Sequence, residues 1–105
     1  MLEPRQEVFD AVADPNRRRI LQILAEGERP VQDLVHHFDL SFSAISQHLK
    51  VLREAGLVGR RQAGRNRLYS LRPEPLKGLH DWTEIYDRAW RERLNRLRSL
   101  IERSE

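Results

Sequence analysis

The sequence predicts a mainly α-helical chain with one small β-hairpin, and three observations lead to this prediction. Apolar residues recur at helical spacing in five separate stretches. A segment with alternating side chains and a central glycine, 57–71, lies between the fourth and the last of them. The last stretch continues from 75 to 103, and 105 residues leave room for a single domain, 1–105. The expected element order is therefore α-α-α-α-β-β-α.

The first two helices are expected at 3–13 and 15–26. Between them, Asp14 is a good N-cap, and Pro15 suits the first helical position, where its missing N–H costs nothing. Gly27 is expected to end the second helix.

The third and fourth helices are expected at 30–38 and 41–55. Pro30 would begin the third helix without providing a side-chain cap. Ser41 would cap the fourth, and Gly56 would close it.

The segment 57–71 predicts a hairpin with strands at 57–62 and 67–71. The intervening residues 63–66 include Gly64 and Asn66, which tolerate the positive φ of a hairpin tip.

Positive charge is concentrated in one third of the chain. Residues 41–72 contain seven Lys or Arg residues and one acid, whereas the whole chain has a net charge of only +3. A basic segment with almost no interleaved acid is typical of a nucleic-acid surface.

Two helices joined by a tight turn and followed by a basic hairpin indicate a winged helix-turn-helix. In that motif the second helix of the pair, here 41–55, enters the major groove, and the hairpin 57–71 forms the wing. Small polar side chains on this helix can bond base edges, Ala44 could contact a thymine methyl group, and basic side chains can bond phosphates. The DNA-binding residues predicted in this way are Ser41, Ser43, Ala44, Ser46, Gln47, His48, Lys50, Arg60, Arg61, Arg65 and Asn66.

Residues 10–72 resemble the ArsR/SmtB family of bacterial winged-helix repressors. The resemblance rests on the stretches 13–21 (ADPNRRRIL), 46–58 (SQHLKVLREAGLV), 64–65 (GR) and 69–71 (YSL). It implies a homodimer, held by the first and last helices, that represses transcription by occupying a palindromic operator on double-stranded DNA. The last helix is similar to that of the metal-independent members known as autorepressors.

An apolar stripe on the helix 75–103 predicts an interface between two copies of the chain. Aromatic side chains at helical spacing bury large areas, and interfaces are enriched in them. The predicted dimer contacts are Val8, Phe9, Val12, Leu79, Trp82, Tyr86, Trp90, Leu94 and Leu97. The alternative is that Trp82 and Tyr86 line a pocket for an unknown organic effector.

The sequence does not predict a metal site or another cofactor. Many members of the resembled family bind metal through a Cys-x-Cys in the helix that here spans 30–38, but this chain has no cysteine. His36 and His37 are adjacent and would diverge on a helix. A weak site at His80 with Asp81, Glu84 and Asp87, formed across a dimer, is the strongest opposing case.

Other functions are less consistent with the sequence. An enzyme would need a nucleophilic cysteine, a glycine-rich phosphate loop or paired acids in a cleft, and we find none of these patterns. A protein-interaction module with the same fold, or a non-specific architectural DNA binder, stays an alternative. No apolar run is long enough to span a membrane, so the protein is expected to be cytoplasmic.

Overall fold

A computed structural model describes residues 3–104 of the chain, without the side chain of Ser104. Residues 1, 2 and 105 of the expected domain lie outside the described residues. The described part contains five helices and three strands in the order α-α-β-α-α-β-β-α. The predicted mainly helical fold with a small β-hairpin wing is confirmed, and one strand is added to it.

The first two helices, α1 (Gln6–Ala13) and α2 (Pro15–Leu24), meet at the predicted cap. The carboxylate of Asp14 accepts hydrogen bonds from the backbone N–H groups of Asn16 at 2.8 Å and Arg17 at 3.1 Å. Two of the donors that a helix N-terminus leaves unpaired are thereby satisfied. Both helices are a few residues shorter than expected.

The prediction of a helix over 30–38 was wrong at both ends. Arg29–Pro30 form a short strand, β1, and the helix α3 covers only Val31–Val35. β1 pairs antiparallel with the last strand of the sheet, Arg29 with Tyr69 and Pro30 with Leu68. Proline is tolerated there because β1 is an edge strand and need not donate on its outer side.

The fourth helix, α4 (Phe42–Glu54), is one residue shorter at each end than the predicted 41–55, and both predicted end signals are present. The Ser41 hydroxyl accepts a hydrogen bond from the backbone N–H of Ala44 at 3.0 Å. Gly56 follows the helix with a φ of 78°, a conformation that favours glycine.

The wing consists of β2 (Val58–Ala63) and β3 (Asn66–Leu71). Ala63 pairs directly with Asn66, so the turn contains only Gly64 and Arg65 rather than the four residues expected. Gly64 has a φ of 62°, as the first central residue of a type II′ hairpin turn requires. The three strands form an antiparallel sheet in the order β1-β3-β2.

The hydrophobic core joins α1, α2, α3, α4 and the base of the wing. Its largest fully buried side chains are those of Ile20, Leu34, Ile45, Leu49, Leu52 and Leu57. Three of these six lie along the inner face of α4, so the opposite face of α4 is held outward by the packing.

The last helix, α5 (Glu74–Ser104), contacts this core only at its beginning. Leu76 and Leu79 pack against the core, and Trp82 meets the ring of Phe9 edge-on at 5.1 Å. From residue 83 to residue 103 every side chain is exposed. The radius of gyration is accordingly 18.8 Å, against about 13 Å for a compact domain of this length.

Candidate nucleic-acid interface

A cleft of about 720 Å³ lies between α4 and the wing. Its walls are almost entirely polar or basic, and none of the described residues that line it is acidic. The lining residues are Val31, Gln32, Phe42, Ser43, Ser46, Gln47, Lys50, Arg53, Arg60, Gln62, Arg65, Asn66, Arg67 and Tyr69. Seven of the eleven residues predicted to contact DNA are among them.

One wall of the cleft is the outer face of α4. Ser43, Ser46, Gln47 and Lys50 follow the spacing i, i+3, i+4, i+7, which places them on one side of the helix. Hydroxyl and amide groups can donate to or accept from base edges, and the Gln amide can do both at once to adenine. This face therefore has the chemistry of a base-recognition surface.

The other wall is one face of the wing. Arg60 and Gln62 on β2 lie opposite Tyr69 and Arg67 on β3, and all four side chains line the cleft. Alternate residues of a strand point to the same side, which explains why these four side chains line the same wall of the cleft. Gln62 and Arg67 were missed from the sequence. Strand alternation from Arg60 would have found Gln62, whereas Arg67 follows only from its pairing with Gln62 across the hairpin.

The same alternation turns Arg61 away from the cleft. Its guanidinium donates two hydrogen bonds to the carboxylate of Glu28, from Nε at 2.9 Å and from Nη2 at 2.8 Å. This pairing lowers the pKa of Glu28 and raises that of Arg61. Arg61 was predicted to contact DNA, and in the structure it does not line the cleft but links the wing to Glu28, the residue before β1.

Three further predicted residues lie on α4 or at its start but do not line the cleft. Ser41 uses its hydroxyl as the helix cap, and Ala44 is half-buried in the first turn. The His48 ring faces α2, where its Nδ1 lies 3.3 Å from Nη1 of Arg17. Because arginine can only donate, this ring nitrogen is the acceptor.

Arg17 joins α4 to the junction between α1 and α2. Besides His48, its guanidinium bonds the carbonyl oxygens of Ala11 at 2.8 Å and Asp10 at 2.9 Å. Partial burial raises the pKa of Asp14, but the backbone hydrogen bonds from Arg17 and Asn16 and the positive charge of Arg17 lower it. His48 therefore helps to fix the orientation of α4.

The deeper part of the cleft contains an arginine that was not predicted to contact DNA. Nε of Arg53 is buried and has no hydrogen-bond partner among the residues the structure describes. With Lys50, Arg60, Arg65 and Arg67 it gives the cleft five basic side chains. Such a concentration of cations attracts a polyanion.

The residues predicted to contact a second subunit divide into three groups by burial. Val8 is only 3% exposed and belongs to the core, so it has little surface left for a partner. Phe9, Val12, Leu79 and Trp82 are half-buried. Four others are strongly exposed along α5: Tyr86, Trp90, Leu94 and Leu97.

A group of possible metal ligands lies near the start of α5. Nε2 of His80 is 3.2 Å from Oε1 of Glu84, and a ligand atom of Asp81 comes within 4.8 Å of both. Asp87, which was expected to join them, bonds Arg91 at 3.1 Å instead. These three ligands, of which His80 and Glu84 are exposed and Asp81 is half-buried, fall one short of the four that a tetrahedral zinc site takes.

The chain is similar to known bacterial regulatory proteins. The family model described as "Bacterial regulatory protein, arsR family" matches residues 14–59, from the N-cap of α2 to the start of β2. The HTH-type transcriptional regulator Rv2034 of Mycobacterium tuberculosis is 42% identical over 94 residues, which cover 90% of this chain and 85% of that protein. The transcriptional repressor SdpR of Bacillus subtilis is 36% identical over 75 residues, covering 71% and 83%.

The chain belongs to the ArsR family. A solved structure titled as a possible transcriptional regulator for arsenical resistance is 48% identical, with a TM-score of 0.67 over 84% of this chain and 88% of that one. ArsR-family proteins are DNA-binding transcriptional regulators rather than enzymes, as the sequence predicted. The cleft between α4 and the wing lies partly within the matched residues, since α4 is covered by the family model. None of the described helices is long and apolar enough to cross a membrane.

Proposed function

We propose that this ArsR-family protein is a homodimer that represses transcription by binding a palindromic operator, in the cytoplasm and without a metal. The observation that carries the proposal is the cleft, which joins the Ser and Gln side chains of α4 to five basic side chains. Hydrogen-bonding groups on the helix supply base recognition, and the cations supply affinity for phosphates. A surface that only bound DNA non-specifically would not need the first set.

DNA would enter with α4 in the major groove. The outward face of α4 carries Ser43, Ser46 and Gln47 near its N-terminal end, the part that usually contacts base edges. The tip of the wing, with Arg65 and Asn66, would then reach along the backbone or into the adjacent minor groove.

The exposed stripe of α5 supports the homodimer. Tyr86, Trp90, Leu97 and Ile101 are all more than half exposed on a helix that only its first turns attach to the core. A contiguous apolar surface of this size is typical of an interaction site. Two α5 helices related by a twofold axis would cover each other and place two clefts on one face of the dimer.

The twofold axis leads to the operator symmetry. Two equivalent α4 helices contact two equivalent half-sites, normally one helical turn of about 34–36 Å apart, so the DNA sequence must be palindromic. Occupying such a site at a promoter would block transcription.

Metal independence is supported by the ligands available. The chain has no cysteine, and His80, Asp81 and Glu84 form a ligand group that is only partly buried and incomplete. Such ligands favour loose binding over a selective sensor. Control by the protein's own concentration is consistent with this.

The ring of Trp82 contacts the rings of Phe9 and Tyr86 edge-on, which favours packing over an open effector pocket.

Genomic footprinting with the purified protein, beginning at its own promoter, tests the proposal. A protected palindrome should be bound at least a thousandfold more tightly than competitor DNA, as is typical of specific sites. Equal affinity for all DNA would indicate an architectural binder, and no DNA affinity would indicate a protein-interaction module. Either result would overturn the proposed function.

A further inference from the structure

One large and exposed apolar side chain lies in the mostly polar cleft. Phe42, the first residue of α4, is 56% exposed and lines the cleft beside Ser43, Ser46 and Gln47. The apolar pattern of α4 suggests that Phe42 flanks the buried stripe, but the structure leaves it in solvent. Ile45, Leu49 and Leu52 fill the core without it.

Phe42 lies next to the side chains of α4 that are proposed to contact base edges. It precedes Ser46 by one helical turn, so these two side chains are neighbours on α4, and both line the cleft together with Gln47. Val31 of α3 lines the same cleft and gives it a second apolar side chain. A duplex seated against the Ser and Gln face would therefore bring a base pair close to Phe42.

The chemistry of a phenyl ring limits what it can recognise. It has no hydrogen-bond donor or acceptor, so base edges offering only polar groups gain nothing from it. The major groove presents one apolar group, the C5 methyl of thymine, and phenylalanine is among the side chains that contact it. Ala44 was the sequence-based candidate for this contact, but it is half-buried and does not line the cleft.

We propose that Phe42 recognises a thymine methyl group in each half-site of the operator. This inference rests on the proposed function. Burying one methyl-sized group is worth a factor of about four in affinity, or about 0.8 kcal/mol. With two symmetric half-sites the factor becomes about sixteen. Phe42 is thus a specificity residue that acts without a hydrogen bond.

The test begins with selection of bound duplexes from a random DNA pool by the wild-type protein. Each symmetric pair of thymines in the selected site is then replaced by uracil, which removes only the C5 methyl groups. The affinity of the wild-type protein should fall ten- to twentyfold when one particular thymine pair is replaced by uracil. The Phe42→Ala variant should bind more weakly overall and should not distinguish thymine from uracil at that pair.

Two further variants serve as controls. Gln47→Ala should lower the affinity while keeping the uracil penalty, because it removes a different contact. Phe42→Leu should retain part of the penalty, since leucine still offers an apolar surface. Circular dichroism should show all three variants folded, because both positions are exposed.

The outcomes separate this inference from the function on which it rests. If selection yields no common sequence, the proposed function fails. If a sequence emerges but Phe42→Ala shows the same uracil penalties as wild type, or the site contains no thymine that matters, only the role of Phe42 is overturned.

Discussion

Replacing Trp90 by alanine should weaken the proposed dimer by about a thousandfold. Trp90 lies in the middle of the exposed α5 stripe and is 57% exposed. A tryptophan buries up to about 250 Å², so about 140 Å² is left for a partner to cover, equivalent to about 3.5 kcal/mol. If about half of that area is covered, the loss is about 2 kcal/mol per subunit and about 4 kcal/mol per dimer, or close to three powers of ten.

Sedimentation velocity over nanomolar to micromolar concentration measures this dissociation constant directly. The wild type should remain dimeric where Trp90→Ala is already monomeric, and the melting temperature of the variant should rise with protein concentration. Asn95→Ala, on the opposite side of the same exposed helix, is the matched control and should behave as wild type. A wild-type protein that is monomeric at micromolar concentration, or a Trp90→Ala variant that dimerises normally, would refute the assignment of α5.

Three further predictions concern the wing, the α2 cap and metals. Arg65→Ala should weaken operator and random DNA alike and reduce the slope of log affinity against log salt by about one, whereas Lys77→Ala, outside the cleft, should leave the slope unchanged. Asp14→Ala should cost about 1 kcal/mol of unfolding free energy at neutral pH, and Asp14→Asn less, because Asn still caps. Folding lowers the pKa of Asp14 below its usual 3.8, so the charged carboxylate contributes its full stabilisation above about pH 5. This stabilisation is lost as the pH falls through the pKa of Asp14 in the folded protein. The denaturation curves of the wild type and of Asp14→Asn should therefore converge in acid. Zinc, nickel or copper at micromolar concentration should change operator affinity by less than tenfold, and a larger effect abolished by His80→Ala would contradict metal independence.

Local signals predicted most of the helical framework. Asp14, Ser41 and Gly56 act within one turn of the chain, so their capping roles are visible in the sequence. The strand β1 was missed because it has only two residues and exists through its pairing with β3, about forty positions along the chain. No local pattern encodes such a contact.

The candidate site was predictable where a helix carries it and less so where the wing does. Helical periodicity was sufficient for Ser43, Ser46 and Gln47. On the wing, charge was counted without alternation, so Arg61 was grouped with Arg60 although adjacent strand residues face opposite sides. Its partner Glu28 is 33 positions away, which only the folded chain brings within 3 Å.

The Gln47→Ala variant tests most directly whether α4 recognises a DNA sequence. The affinities of wild type and variant for the selected operator and for random duplex of equal length should be measured at one salt concentration. The variant should lose about 1–3 kcal/mol, or about five- to 150-fold, per half-site on the operator while its random-DNA affinity is nearly unchanged. Equal losses on both duplexes would show that α4 does not discriminate bases and would contradict the account.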